Sequence, residues 1–448
     1  EEPERYEAET LWSYASDGII EPLDAGYFSN NTDKSILCKS YTIESEWVEV
    51  INEGKPLWSY TPESASGLDA ATFQSDGDIY SEVLLSYFEE DSGVGFLCAL
   101  DQDGRLLWNW DNASVIHEIL IADFDGDFMD EIAVETNNGV GFLSSSGATH
   151  WFQSNSENIS YGLHSKSDYD GDGDPEIIMS RTEGNEVSNM SFCMVFDELG
   201  NSVLEFPLYW RGDDTPPIQK GTPVILEAVN LVSDSTPEYY YALSVNDSEV
   251  SESIVSSSGE DFIWQLPWIE GRNVSYLHAQ DIFFCDLDQD QSAEIIRRRS
   301  YGGLCAMEPD GTIIWEAYLG GEIPTDSTHS RHIPLVDLLG NGSLGILGGD
   351  RWVSYIDPLT GSRRMTIRLL WGELKLSRNI DKDSAYEIIS TDINELAVME
   401  YAGPYEYPGN HNNGAYYYLT MVIIIIAATC VVLVLVVVAS RETLPLHE

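Results

Sequence analysis

The chain is short of positive charge. Its 448 residues hold 22 lysines and arginines against 76 aspartates and glutamates, a formal net charge of −54. Such a surface repels phosphate backbones and anionic headgroups, which excludes nucleic acid and anionic lipid as partners. It also repels itself unless salt or divalent ions screen it, so a saline or calcium-containing exterior is implied, and composition suggests an archaeal surface. Cysteine is scarce: Cys38, Cys98, Cys193, Cys285 and Cys305 sit in strand-like segments, Cys430 in an apolar run, and no two are adjacent. This is not a disulfide framework, and the cysteines are expected as small buried apolar residues. No G-x-S-x-G, H-E-x-x-H or phosphate-binding glycine loop occurs, and the eight histidines are scattered. His329 and His332 of THSRH and the tripeptide inside WRGDD (Trp210 to Asp214) are read as loop and turn, and the protein is read as non-enzymatic. No convincing amphipathic helix interrupts the first 402 residues. The sequence opens on Glu1 with neither Met nor an apolar leader, and is read as a mature, cleaved chain.

What the chain does have is a repeated acidic frame. Asp168 to Glu176 reads DYDGDGDPE. When such a backbone curls, the side chains at its first, third, fifth and ninth positions, Asp168, Asp170, Asp172 and Glu176, converge on one point, and the seventh carbonyl can join them. Ca²⁺ takes about six to eight oxygens at roughly 2.3–2.6 Å, and glycines permit the positive φ that so tight a loop needs. The same frame recurs as DFDGDFMDE (Asp123 to Glu131), DLDQDQSAE (Asp286 to Glu294) and NIDKDSAYE (Asn379 to Glu387). A weaker copy, QSDGDIYSE, keeps Asp76, Asp78 and Glu82. NLVSDSTPE (Asn230 to Glu238) and DLLGNGSLG (Asp337 to Gly345) have lost central acids and are expected to be metal-free turns. The frames begin at residues 74, 123, 168, 230, 286, 337 and 379, a period of about fifty. The four full loops hold only 17 of the 76 acids, so they do not explain the net charge.

A second signal runs in phase. About thirty residues after each loop comes a turn and then a short apolar strand, often with Trp: EGKPLWSY (Glu53 to Tyr60), DGRLLWNW (Asp103 to Trp110), SSGATHWF (Ser145 to Phe152), SSGEDFIW (Ser257 to Trp264) and DGTIIWEA (Asp310 to Ala317). Between loop and turn lie β-branched runs such as EIAVET and GVGFLSSS, which read as strands. Repeats of about four antiparallel strands are the signature of a β-propeller, in which closure removes sheet edges. Eight blades are expected, starting near residues 20, 67, 115, 160, 220, 275, 331 and 373, with seven as second choice. The last repeat ends before its Trp-bearing strand. ETLWSYAS (Glu9 to Ser16), at the other end of the chain, is expected to supply it and shut the ring. The Trp residues are read as filling the space between stacked sheets.

The four loops resemble the calcium loops of FG-GAP and VCBS repeats, the family that includes the integrin α-chain propeller, over roughly residues 9 to 402. The Gly-turn-Trp strand is also similar to repeats of quinoprotein and outer-membrane-assembly propellers. In the resembled family the loops join the first and second strands of a blade and stiffen it. The resemblance implies four to five Ca²⁺ sites: Asp123, Asp125, Asp127 and Glu131; Asp168, Asp170, Asp172 and Glu176; Asp286, Asp288, Asp290 and Glu294; Asn379, Asp381, Asp383 and Glu387; and the weaker Asp76, Asp78 and Glu82. A quinoprotein enzyme would carry a ring of adjacent disulfide-linked cysteines at its cofactor, which this chain lacks.

One long hydrophobic run exists. After a linker at 403–415, Tyr416, Tyr417 and Tyr418 lead into the 21 uncharged residues 419–439, which as a helix span about 30 Å. A transmembrane helix over 416–440 with an aromatic belt is expected. Arg441 in the tail 441–448 places that tail in the cytoplasm and the propeller, 1–402, outside the cell. Glycan acceptor sequons at Asn30, Asn112, Asn158, Asn189, Asn246 and Asn273, with Asn341 in a degenerate loop, agree with an external location. Two roles remain in view: an anchored binding or adhesion module for a protein or glycan, and a structural cap on a larger assembly of membrane subunits.

Overall fold

A computed structural model describes residues 4–28, 33–89, 92–111, 114–170, 172–185, 188–208, 222–231, 237–246, 249–256, 262–265, 282–299, 303–310, 312–318, 335–338, 340, 342, 344–349, 352–369, 373–378, 380 and 386–404. Every regular element among them is a β-strand. Blade 3 shows the plan: Ile116–Ala122, Glu131–Thr136, Gly139–Leu143 and Thr149–Ser154 pair antiparallel in chain order, with the acidic loop joining the first two. Six such four-stranded sheets occupy 19–60, 65–111, 116–154, 159–207, 222–265 and 282–318, and are numbered here as blades 1 to 6. Blade 7 contributes Ile346–Gly349, Trp352–Ile356 and Arg363–Arg368, and an isolated bridge from Val336 to Gly345 precedes them. Blade 8 contributes Glu373–Arg378, Glu387–Asp392 and Glu395–Pro404.

The ring is an eight-bladed propeller shut by its own N-terminus. Glu4–Ala15 lies between Arg363–Arg368 and Glu395–Pro404, which makes one seven-stranded sheet of blades 7 and 8. Its expected place as the missing outer strand of blade 8 is therefore occupied. The unexpected part is its first turn of chain, Glu4 to Glu7, which pairs in parallel with Met365 to Arg368 of blade 7. One strand thus clasps two blades. The seven-blade alternative is excluded.

Burial follows from stacking sheets face to face. Middle strands are covered on both sides, which is why they read as unbroken apolar runs rather than alternating ones. Val83 and Leu85 face blade 1 while Leu84, between them, faces blade 3. Eight apolar clusters result, one at each junction between neighbouring blades. The cluster that joins Ile389, Leu396 and Val398 of blade 8 to Ile20, Ile36 and Ile51 of blade 1 proves closure. Each fully buried aliphatic side chain stabilises by about 1.5–3 kcal/mol, so a junction of this size outweighs what any one hydrogen bond adds.

The five cysteines of the ring pack as small apolar groups in these junctions. Burial pushes the Cys98 thiol up to about 12 and raises Cys38 and Cys193 well above the ordinary thiol value. Residues Glu1–Gly403 make one compact unit and Pro404–Glu448 a second. The apolar run 419–439 lies outside the described residues, as do His329, His332, Cys430 and the WRGDD stretch after Leu208. Among the described residues no helix is long and apolar enough to cross a membrane.

Candidate metal loops

Each acidic loop is a tight curl whose geometry is set by its own carboxylates. In blade 3 the Asp123 carboxylate accepts the N–H groups of Asp127 at 3.1 Å and Phe128 at 2.8 Å, and Asp127 accepts that of Met129 at 2.8 Å. Blade 6 repeats the pattern with Asp286 accepting from Asp290 and Gln291, and blade 4 with Asp168 accepting from Gly173 at 3.1 Å. The sixth position is left-handed in the loops of blades 3, 4, 6 and 7: φ is +69° at Phe128, +104° at Gly173, +78° at Gln291 and +83° at Gly342. Glycine meets this need without strain, whereas Phe128 and Gln291 adopt it against their intrinsic preference. The degenerate loop of blade 7 keeps the same curl, with Asp337 accepting from Gly342 at 2.6 Å. The fold of the loop therefore survives the loss of its central acids.

The acids converge as the spacing implied. Oxygens of Asp123, Asp125 and Asp127 lie within 4.8 Å of one another, and so do those of Asp286, Asp288 and Asp290, of Asp168, Asp170 and Glu176, and of Asp76, Asp78 and Glu82. Two oxygens on opposite sides of a calcium ion stand about 4.6–5.2 Å apart. All donors are hard oxygens, without sulfur or imidazole, so these clusters could hold a divalent metal ion and the donor set suits Ca²⁺. Asp172, Glu131 and Glu294 stand outside the converging trios of their loops. In blade 8, Asn379, Asp381 and Asp383 lie outside the described residues, and Glu387 is buried at the start of its strand.

The ninth-position glutamate has a second duty that its motif did not disclose. One oxygen accepts the N–H of the loop's second residue: Glu82 from Ser75, Glu131 from Phe124, Glu176 from Tyr169, Glu294 from Leu287 and Glu387 from Ile380, at 2.5–3.1 Å. Glu238 does the same to Leu231 at 2.8 Å in a loop without the first- and third-position acids. Its retention there marks the bond as structural. Burial pushes Glu131, Glu176 and Glu294 up to about 7, and the loop aspartates push further, against the lowering effect of that N–H. Glu82 is raised for the same reasons. Without a cation, each loop is thus a site where negative charge is costly.

Neighbouring loops also touch. The N–H of the eighth residue reaches the carbonyl at the start of the preceding blade's loop: Asp130 to Gln74 and Ala293 to Asn230 at 2.7 Å, and Tyr386 to Asp337 at 3.2 Å. Ser81 to Tyr27 and Lys34 to Ile380 carry the relay through blade 1, whose loop shows no acidic frame. Asp130 also accepts the Gln74 N–H at 2.6 Å. Pro175 and Pro237 hold the eighth position in blades 4 and 5 and have no N–H to give. At the first of these gaps Asp174 leans on the blade 3 loop so closely that a Cβ on Gly126 would sit 2.7 Å from its Oδ1.

The recurrent tryptophans do something more specific than fill space. Trp58, Trp108, Trp151 and Trp315 lay their rings on Gly104, Gly147, Gly200 and Gly361 of the next blade's turn, where an added Cβ would meet the ring at 2.6–2.7 Å. Each indole N–H donates to a carbonyl of that turn, on Gln102, Ser145, Glu198 and Pro358, at 2.7–3.2 Å. The first three rings are only half-buried, so the contact is a lock between blades rather than core. A bulge between the third and fourth strands recurs beside these turns and re-aims the outer strand toward its neighbour. Of the sequons, Asn158 sits exposed in a turn, Asn189 and Asn246 lie on strands, and Asn30, Asn112, Asn273 and Asn341 fall outside the described residues.

No protein-family model matches the chain, and no curated protein sequence does. Among solved structures, the Dos1 propeller aligns over 88% of this chain and 95% of its own at 11% identity, with a TM-score of 0.51. BamB from Moraxella catarrhalis aligns over 88% and 99% at 14% identity and 0.46. BBS1N, crystallised in complex with ARL6DN, aligns over 74% and 91% at 12% identity and 0.40. At these identities the likeness speaks for the propeller fold alone.

Proposed function

We propose that the chain is a calcium-stiffened propeller that acts as a binding scaffold, held on the outer side of a membrane by the run 419–439. The observation that carries it is the recurrence of converging carboxylate oxygens from three of the first, third, fifth and ninth positions of loops in blades 2, 3, 4 and 6. A solvated acidic face has no reason to aim three carboxylates at one point in each of four repeats. A bound cation would neutralise a trio, lower the cost of charge on the ninth-position glutamate and hold the first two strands of the blade at a set angle. The loop resemblance to FG-GAP and VCBS repeats agrees with this reading.

Binding rather than catalysis is the role proposed, because the recurring residues are packing groups and carboxylates that hold their own loop backbone and converge as a cation cage. Rigid blades then supply the geometry and the connecting turns the recognition surface. Chelation of the full chain in low salt should lower its melting temperature and increase proteolytic nicking near Gly126 and Gln289, with both reversed by calcium and not by sodium at equal ionic strength. Melting indifferent to chelator would refute the metal reading. Release of the chain from membranes by alkaline carbonate without detergent would refute the anchor.

A further inference from the structure

We propose that a shallow apolar hollow where the ring closes is a docking site for a protein segment that presents an aliphatic or aromatic side chain between lysines or arginines. It rests on the reading of the propeller as a binding module and names the surface and the partner's chemistry. The hollow, of about 440 Å³, is lined by Ile19, Tyr41, Ile43 and Ile393 among others. Ile43 and Ile393 occupy turns between second and third strands, of blades 1 and 8. Strands alternate in direction, so these turns open on the face opposite the acidic loops.

Three features separate this patch from scattered surface isoleucines. First, the side chains are presented rather than tucked in: Ile43 is fully exposed, Ile393 is 71% exposed and Ile19 42%. Second, the presenting turns are built to hold still. Thr42 accepts the N–H groups of Glu44 and Ser45 at its hydroxyl and donates its own N–H to the Ser45 carbonyl at 2.8 Å. The Ile393 carbonyl accepts from Ile20 at 2.9 Å, and the Asn394 carbonyl from Ser16 at 2.8 Å. The Asn394 side chain donates back to the Ser16 carbonyl at 3.3 Å. Third, Ile393 has φ +54° at the first position of a two-residue hairpin. Glycine is the residue that position favours, and a β-branched residue there is strained. Folding gains nothing from an exposed isoleucine in a strained turn, so the contact that justifies it is made with something else.

Charge selects the partner. Asp17, Glu44, Asp392 and Glu395 are exposed around the isoleucines. The nearby cation, Lys39, is held by Glu46 at 3.6 Å and lies over the Tyr41 ring. An apolar floor with an acidic rim complements an apolar residue flanked by basic ones and repels an anionic bilayer.

The test uses the full chain in calcium and near-physiological salt, with a fluorescein-labelled Lys-Arg-Leu-Phe-Arg-Lys peptide read by anisotropy. Two control peptides replace either the apolar pair by serines or the basic residues by glutamates. Binding of the first peptide, at least about tenfold weaker for both controls, is expected. The double variant Ile43→Ser with Ile393→Gly should lose about tenfold in affinity while melting at the same temperature or higher, since glycine relieves the turn. Equal binding by that variant, equal binding of the glutamate peptide, or a variant-sensitive dimer or vesicle association in place of peptide binding would each overturn the proposal. The variant's response to calcium reads the metal loops separately, because they lie on the other face.

Discussion

Removing divalent ions should reverse the pH dependence of stability, and the sign follows from the ninth-position glutamates. In the fold Glu131, Glu176 and Glu294 are pushed up from 4.5 to about 7. Between those values the native chain holds protons that the unfolded chain has released. Stability of the chelated protein therefore falls as pH rises through this window and levels off above about pH 7. A shift of about 2.5 units corresponds to roughly 3 kcal/mol per glutamate if felt in full. The loop mouths are open to water, with Asp125, Asp127, Asp170, Asp288 and Asp290 exposed, and screening reduces this to about 1 kcal/mol each, or about 3 kcal/mol for the three blades. With calcium bound, the proton competes with the cation and the slope changes sign. The assay is thermal melting from about pH 5 to about pH 8 with chelator and with calcium, so that the calcium increment is read at each pH. An increment that widens toward alkaline pH is expected. Chelated protein whose stability is flat or rises over that range would refute the reasoning, because the glutamates would then not be the groups that the cation relieves.

Other expectations separate packing from charge. Gly147→Ala forces a side chain at φ +78° against the Trp108 ring and should cost about 2 kcal/mol in chemical denaturation, with or without calcium. Glu238→Ala removes the acceptor of the Leu231 N–H in a loop lacking the first- and third-position acids, and should cost about 1–3 kcal/mol while leaving the calcium increment intact; Glu176→Ala should reduce both. Removal of residues 1–7 strips the parallel pairing with Met365 to Arg368 and should speed hydrogen exchange at those four amides first.

The architecture was legible because the repeat carries two independent marks in fixed phase, an acidic loop and a Gly-turn before a Trp strand. Strand starts at Ile19, Ala65, Ile116, Ile159, Thr222 and Glu373 fall within two residues of those expected from the loops. Placement of ETLWSYAS at the far end of the ring rested on context alone and holds, since Trp12 and Tyr14 pack on the cluster between blades 8 and 1. Its parallel clasp on blade 7 had no signal, because parallel pairing leaves no local pattern in a strand. For the loops, spacing gave the converging aspartates but not the division of labour of the glutamate. Comparison of NLVSDSTPE with the full copies held that clue: the central acids vary while the ninth residue stays Glu. Trp was read as bulk because a sequence does not show what a ring faces. The matching glycine in the next repeat, 39 to 49 residues on for Trp58, Trp108 and Trp151, is visible only once blades are neighbours.

Closure makes the acidic surface and the loops one problem. A ring with eight apolar junctions opens once any one of them breaks, and mutual repulsion among acids spread around the circumference pulls on every junction at once. The relay ties the loops of blades 1, 2, 3, 6 and 8 to the one before, so a cation that tightens one of those neighbours also fixes the carbonyl on which the next loop hangs. Where Pro175 interrupts the relay, an acid, Asp174, stands against the neighbouring loop instead. Its carboxyl is raised, first by desolvation and then by Asp172, Asp123 and Asp125, so acids of both loops act on it. Blades 3 and 4 are thus coupled by charge where five other pairs are coupled by a hydrogen bond, and the strength of their junction should depend on divalent ions.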